Sequence, residues 1–261
     1  MPSIPGFWEG GPHQPIDVEQ TWREFVRYVG GQVVEDIVPE PRVFANADFL
    51  FPAIPSIAEL KEIQTEFNRL PAFQKGFEAL LARLVESDPT WRPELLGGSV
   101  GYPDWFSREF VRLFRPPISR VLKKANRQIR ETKEHFNIEA ATGVLVLVND
   151  GFTALEPHWV RSLVCNLLSN SYSSIDCFLY LTVNRYVETP SSDAPRLLWM
   201  PTYSDRAPHT LVEFIDDLGR KWFNFLESKI GPFTIPREEI AQGVDGASAF
   251  LSRAIVLPGE S

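Results

Sequence analysis

The chain has 261 residues, 44% of them hydrophobic and 23% charged, the proportions of a globular protein with enough apolar material for a sizeable core. Its 26 Lys and Arg against 34 Asp and Glu leave a net charge of -8, which excludes a protein that coats nucleic acid or an anionic membrane by bulk charge. Two cysteines, Cys165 and Cys177, exclude a disulfide scaffold.

The N-terminal residues lack the basic-then-apolar pattern of a secretory signal, and the longest apolar run, 144–148, is far short of a membrane span. A cytoplasmic protein with no membrane partner is expected. His13, His135, His158 and His209 have no zinc-ligand spacing, and neither a Walker loop nor a GxSxG motif is present.

In chain order, residues 1–16 are rich in Pro and Gly and read as an irregular arm. Val18, Trp22, Phe25, Val26 and Val29 recur at helical spacing behind Asp17, a candidate N-cap, and Gly30-Gly31 stops the run. Residues 32–38 read as a strand. Residues 42–51 and 56–63 read as a β-hairpin about the proline-bounded turn 52–55. Helical spacing returns over 65–86, a loop covers 87–105, and a second helical region runs from 107 to 136 with an interruption at Arg115-Pro116-Pro117. A buried strand over 143–148, a helix over 156–169, a strand over 175–183, an extended stretch near 197–200 and a helix over 211–229 complete the pattern. The expected architecture is one α/β domain over 17–261, with a helical insertion at about 65–115 and a C-terminal elaboration at about 185–261.

The hairpin carries the chemistry. If the turn 52–55 sets Phe51 opposite Ser56, then Asp48 faces Glu59, and Lys61 lies on the same face one pleat further, opposite Asn46. Like charges directly opposite are destabilising, so something positive should sit between the carboxylates. Two carboxylates with a backbone carbonyl, that of Leu60, form the oxygen ligand set that Mg²⁺ prefers. Of the three acid-x-Lys triplets, 59–61, 131–133 and 227–229, only the first lies on a predicted strand with an aspartate across a turn. Solvent-facing strand residues with an ordinary salt bridge are the simpler alternative. Leu50, Ile57 and Ile63 on the same face argue against it.

Asp48 followed by Glu59-Leu60-Lys61 resembles the signature of the PD-(D/E)xK nucleases, with Ala47 in place of the family's proline and a short, ten-residue spacing between the carboxylates. The resemblance implies a restriction-endonuclease-like core, a mixed central sheet flanked by helices, matching the predicted elements from about 17 to 148. It implies metal-dependent hydrolysis of phosphodiester bonds, with Asp48 and Glu59 holding Mg²⁺ (Mn²⁺ substituting) and Lys61 assisting the attacking water.

Residues 108–133 contain nine basic residues and two acids, a segment of +7 that leaves -15 for the rest of the chain. Such concentration is the footprint of a phosphate-binding groove, although a solvated amphipathic helix can have the same pattern. Arg120, Lys123, Lys124 and Arg127 are the candidate nucleic-acid contacts. By the resemblance, Gln128 and Lys124 point into the site, and Glu19 of the first helix is a possible further ligand, with Glu35 an alternative. DNA is the expected substrate, RNA a less favoured one. With no helix-turn-helix or zinc finger recognisable, sequence-specific recognition would come from the insertion at 65–115 or from a homodimer or partner subunit, or not exist. The rival expectation is a non-catalytic module that keeps the nuclease fold and binds nucleic acid or an acidic protein surface.

Overall fold

The structure is a computed structural model that describes residues 7, 13–41, 44–92, 102–189, 192–233, 238–240, 250–252 and 254–258. Its helices are α1 (Val18–Tyr28), α2 (Val34–Ile37), α3 (Pro71–Ser87), α4 (Asp104–Arg112), α5 (Arg115–Phe136), α6 (Pro157–Ser171) and α7 (His209–Ile230). Its strands are β1 (Gln32–Val33), β2 (Phe49–Phe51), β3 (Ser56–Ile63), β4 (Thr142–Asn149), β5 (Cys177–Leu181), β6 (Val187–Thr189), β7 (Ser192–Ser204), β8 (Glu238–Ile240), β9 (Phe250–Ser252) and β10 (Ala254–Pro258).

The central strands stand in the order β1-β2-β3-β4-β5-β7. β1, β2 and β3 pair antiparallel, β3, β4 and β5 pair parallel, and β7 returns antiparallel to β5. β6, β9 and β10 also pair with β7, and β8 pairs with β10. The protein is therefore α/β, with a mixed open sheet flanked by helices. β4 is buried on both faces, as a central parallel strand must be, and this explains its continuous apolar sequence.

Strand alternation divides the core in two. Ile57, Ile63, Leu145, Leu147 and Phe178 turn to one face and pack under Ile118, Leu122, Ala125 and Ile129 of α5 and Val160 and Val164 of α6. Ala58, Leu60, Val144, Val146 and Leu179 turn to the other, under α1 and α7, where the Trp22 and Trp222 rings stack with centroids 4.8 Å apart. Cys165 and Cys177 are buried in these separate cores as free thiols.

Asp17 caps α1 as expected, its Oδ1 accepting the Gln20 N–H at 2.8 Å. The helix ends into Gly30 at φ 83°, a conformation that favours glycine. Beyond it the expected strand over 32–38 is corrected to the two residues of β1. Val34 N donates to the Asp48 carbonyl at 2.9 Å, and the chain then turns into α2, whose Glu35 and Asp36 pair with Arg23 and Arg27 of α1, each at 2.6 Å. Charge pairing with the neighbouring helix accompanies this turn in a β-rich sequence.

The expected strand over 42–51 likewise shortens to β2. Residues 42 and 43 lie outside the described residues. Ala45 N and Ala47 N donate to Glu131 and Thr132 side chains of α5, both at 2.7 Å, rather than to a strand. The Arg115-Pro116-Pro117 interruption is the first turn of α5, where a missing N–H costs nothing. α3 and α4 occupy the expected insertion, of which 93–101 lie outside the described residues, as do parts of the N-terminal arm and of the segment 185–261. The arm is anchored through a bridge from Phe7 to Val187 and through Ile16, whose N–H donates to Asn184 Oδ1 at 2.9 Å.

Candidate active site

The hairpin has the register read from its turn, with Phe51 opposite Ser56, Leu50 opposite Ile57 and Phe49 opposite Ala58. Asp48, one residue before β2, therefore comes up against Glu59. Asp48 Oδ2 accepts the Leu60 N–H at 2.7 Å, so the strand itself orients the first carboxylate. Glu59 is fully buried at 0% exposure, and Lys61 Nζ donates to its Oε1. Its Oε2 is buried and receives no donor.

This arrangement moves both acids toward their neutral forms. Burial and then the neighbouring Asp48 carboxylate push Glu59 up to about 8, with Lys61 opposing the change. Burial also raises Asp48, opposed by the Leu60 N–H and the Lys61 charge. The Asp48 and Glu59 side chains meet, and their contact is a hydrogen bond only when one of them is protonated. Burial and mutual repulsion therefore favour one proton on the pair. The expected positive charge is the Lys61 ammonium, which pairs with Glu59 and acts on Asp48 only through its charge.

α5 closes the site from above. Gln128 Nε2 donates to the Asn46 carbonyl at 2.8 Å, while its Oε1 is buried without a partner. With Glu131 and Thr132 holding residues 45 and 47, one helix pins the segment leading to Asp48 at three successive positions. Lys124, one turn earlier on the same flank, is exposed. Arg115, Arg120, Lys123 and Lys124 are all exposed and form no ion pair with the described residues. Arg127 reaches Glu131 at only 3.8 Å and remains exposed. The cationic face is narrower than the +7 segment suggested, because Lys133 turns inward to Asp176 at 3.8 Å and Arg130 lies among Glu131 and Glu134.

Glu19 is mostly exposed and bonded to Arg23 at 3.0 Å, which also holds Glu35 at 2.6 Å. Neither is brought into contact with the Asp48 and Glu59 carboxylates, although the Glu19 charge contributes to raising Asp48. Glu24 bonds Lys229 at 2.6 Å. Sequence reasoning missed a second carboxylate pair on the opposite face of β3, Glu62 with Asp150 just beyond β4. Its only sequence signal was that parallel neighbours of equal length end at Ile63 and Asn149, which the hairpin pattern does not reveal.

Among the described residues no group of three or more His, Cys, Asp or Glu could hold a metal ion. The two carboxylates, one with an orphaned buried oxygen, nevertheless suit a hard divalent cation that takes its other ligands from water or substrate. No protein-family model and no curated protein matches the chain.

Proposed function

We propose that this protein is a divalent-metal-dependent nuclease of the PD-(D/E)xK type that hydrolyses DNA in preference to RNA. The observation that carries the reading is the contact of Asp48 and Glu59 across the hairpin, with Lys61 seated on Glu59, directly beneath a helix with an exposed cationic face. The order α1, antiparallel β1-β2-β3, α5 and parallel β4 supports a restriction-endonuclease-like core.

When bound, Mg²⁺ or Mn²⁺ supplies Lewis acidity to a phosphoryl oxygen and lowers the pKa of a coordinated water. Asp48 and Glu59, both deprotonated, would hold it, with the Leu60 carbonyl as a third oxygen. Lys61, released from Glu59, donates to the attacking water or to a phosphate oxygen, where charge develops in the transition state. Gln128, fixed through Nε2, presents Oε1 to orient the water. Arg120, Lys123, Lys124 and Arg127 take the backbone phosphates, a contact set that makes binding salt-dependent.

The test incubates plasmid and single-stranded DNA with the protein in Mg²⁺, Mn²⁺ and EDTA, beside Asp48→Ala and Lys61→Ala. Metal-dependent cutting that both substitutions remove supports the reading. A non-catalytic binding module is favoured by one observation, that Lys61 and the Leu60 N–H already occupy one oxygen of each carboxylate. It requires DNA binding without cutting, indifferent to Mg²⁺ and to Lys61→Ala.

A further inference from the structure

A cavity of about 330 Å³ opens between α4 and α6, away from the carboxylates. Its walls are aromatic: Tyr102, Phe106 and Phe110 on one side and Trp159 of α6 on the other. Tyr102 stacks on Phe106 with centroids 4.6 Å apart and planes 12° apart, yet is 51% exposed, and Trp159 is 39% exposed. Ser107 and Glu156 also line the recess, the Glu156 carboxylate lying 3.1 Å from His158 Nδ1. Glu156 remains 44% exposed beside His158.

The surroundings restrict what could sit there. Arg108 is exposed on α4, the same helix that supplies Phe106 and Phe110, and forms no ion pair with the described residues, whereas Arg112 pairs with Glu109. α4 leads after two residues into α5, where Arg115, Arg120, Lys123 and Lys124 continue the exposed cations toward Gln128. An isolated organic cation would find only Glu156, whose carboxylate already lies 3.1 Å from His158 Nδ1. An apolar peptide face would make no use of Arg108 or of the α5 cations, which are exposed and form no ion pair with the described residues. A nucleobase on its phosphate backbone uses both features: its flat face stacks on the exposed rings, and its phosphates reach the exposed cations along α4 and α5.

We propose that this recess binds an unpaired nucleobase, so that single-stranded or locally opened nucleic acid is the substrate presented to the carboxylate site. The inference rests on the nuclease reading above for its choice of polymer. A base inside a duplex cannot enter such a cavity without leaving its stack.

The test is fluorescence anisotropy with the full chain in EDTA at low salt, using a labelled single-stranded oligonucleotide, the same strand in a duplex, and an abasic strand of equal charge. Trp159→Ala, Tyr102→Ala and the pair Lys123→Glu with Lys124→Glu are compared with wild type. Both aromatic side chains are partly exposed, and circular dichroism checks that the variants fold. Expected is tighter binding of the single strand than of the duplex or the abasic strand. Each aromatic substitution should lose roughly tenfold on the single strand and almost nothing on the duplex. Equal binding of abasic and base-bearing strands, or aromatic variants that bind like wild type, overturns the recess. In that case, binding abolished only by the charge reversals leaves the nucleic-acid reading standing. No binding of any nucleic acid removes both. A dimer in sedimentation that Trp159→Ala dissociates would assign the cavity to a second copy of the chain and overturn the proposal.

Discussion

β3 has a carboxylate pair on each face, and the two differ in what surrounds them. Glu59 meets Asp48 under α5, fully buried, with the Lys61 ammonium on one oxygen and none on the other. Glu62 meets Asp150 on the opposite face, partly exposed, with only the Gln64 amide as a donor and no ion pair among the described residues. Burial raises the pKa of both glutamates, but only Glu59 rises to about 8. Glu62 and Asp150, at the ends of the central strands β3 and β4, keep partial access to water, although Asp150 Oδ1 is buried without a donor. Glu59, beneath a helix, has no such access, and a proton, a lysine or a metal must take the place of water.

Substitution should separate the pairs most strongly in activity. Asp48→Ala and Lys61→Ala are expected to lower metal-dependent cleavage by roughly 10²–10³-fold or more, whereas Asp150→Ala should leave it within a few-fold. Initial cleavage rates on one plasmid substrate measure both, and equal losses would erase the distinction.

Stability should separate them next. Lys61→Met removes the only cation on a buried carboxylate and is expected to cost about 1–3 kcal/mol at neutral pH, read by urea unfolding. Gln64→Ala, at the exposed pair, should cost under about 0.5 kcal/mol.

The pH dependence sharpens the contrast. With Glu59 raised from 4.5 to about 8, the folded protein holds a proton across that window that the unfolded chain has released. Glu59 therefore contributes stability that is fully present below pH 4.5 and is lost as the pH rises through about 8. Glu59→Gln should flatten this decline in thermal melts of the metal-free protein. Mg²⁺ should restore stability at the alkaline end in wild type but not in the variant. Glu62→Gln should change the same profile least of all.

The hairpin was legible because its turn length alone set the register, and a period of two then fixed which side chains meet. Gln128 was legible only as a helix flank, through the stripe formed by Leu122, Ala125 and Ile129. The strands at 32–38 and 42–51 were overread. In 42–51, Glu131 and Thr132, more than eighty residues away, capture the backbone donors that a strand would have used, and in 32–38 the β-branched residues signal extended chain where Glu35 and Asp36 instead pair with Arg23 and Arg27 of α1 from the short helix α2. The narrowing of the basic face was equally hidden, since Asp176, which pairs with Lys133, comes from another element.

From the amino-acid order alone came the apolar faces, the helix cap at Asp17, the turn at 52–55 and hence the meeting of Asp48, Glu59 and Lys61. All of these depend on spacings within one or two neighbouring elements. Tertiary packing decided that Glu59 is fully buried while Glu62 is partly exposed, that α5 pins the chain before Asp48, and that aromatic side chains of α4 and α6 form a cavity. Desolvation and long-range contact depend on what the other elements place above a residue, and local periodicity contains no record of that.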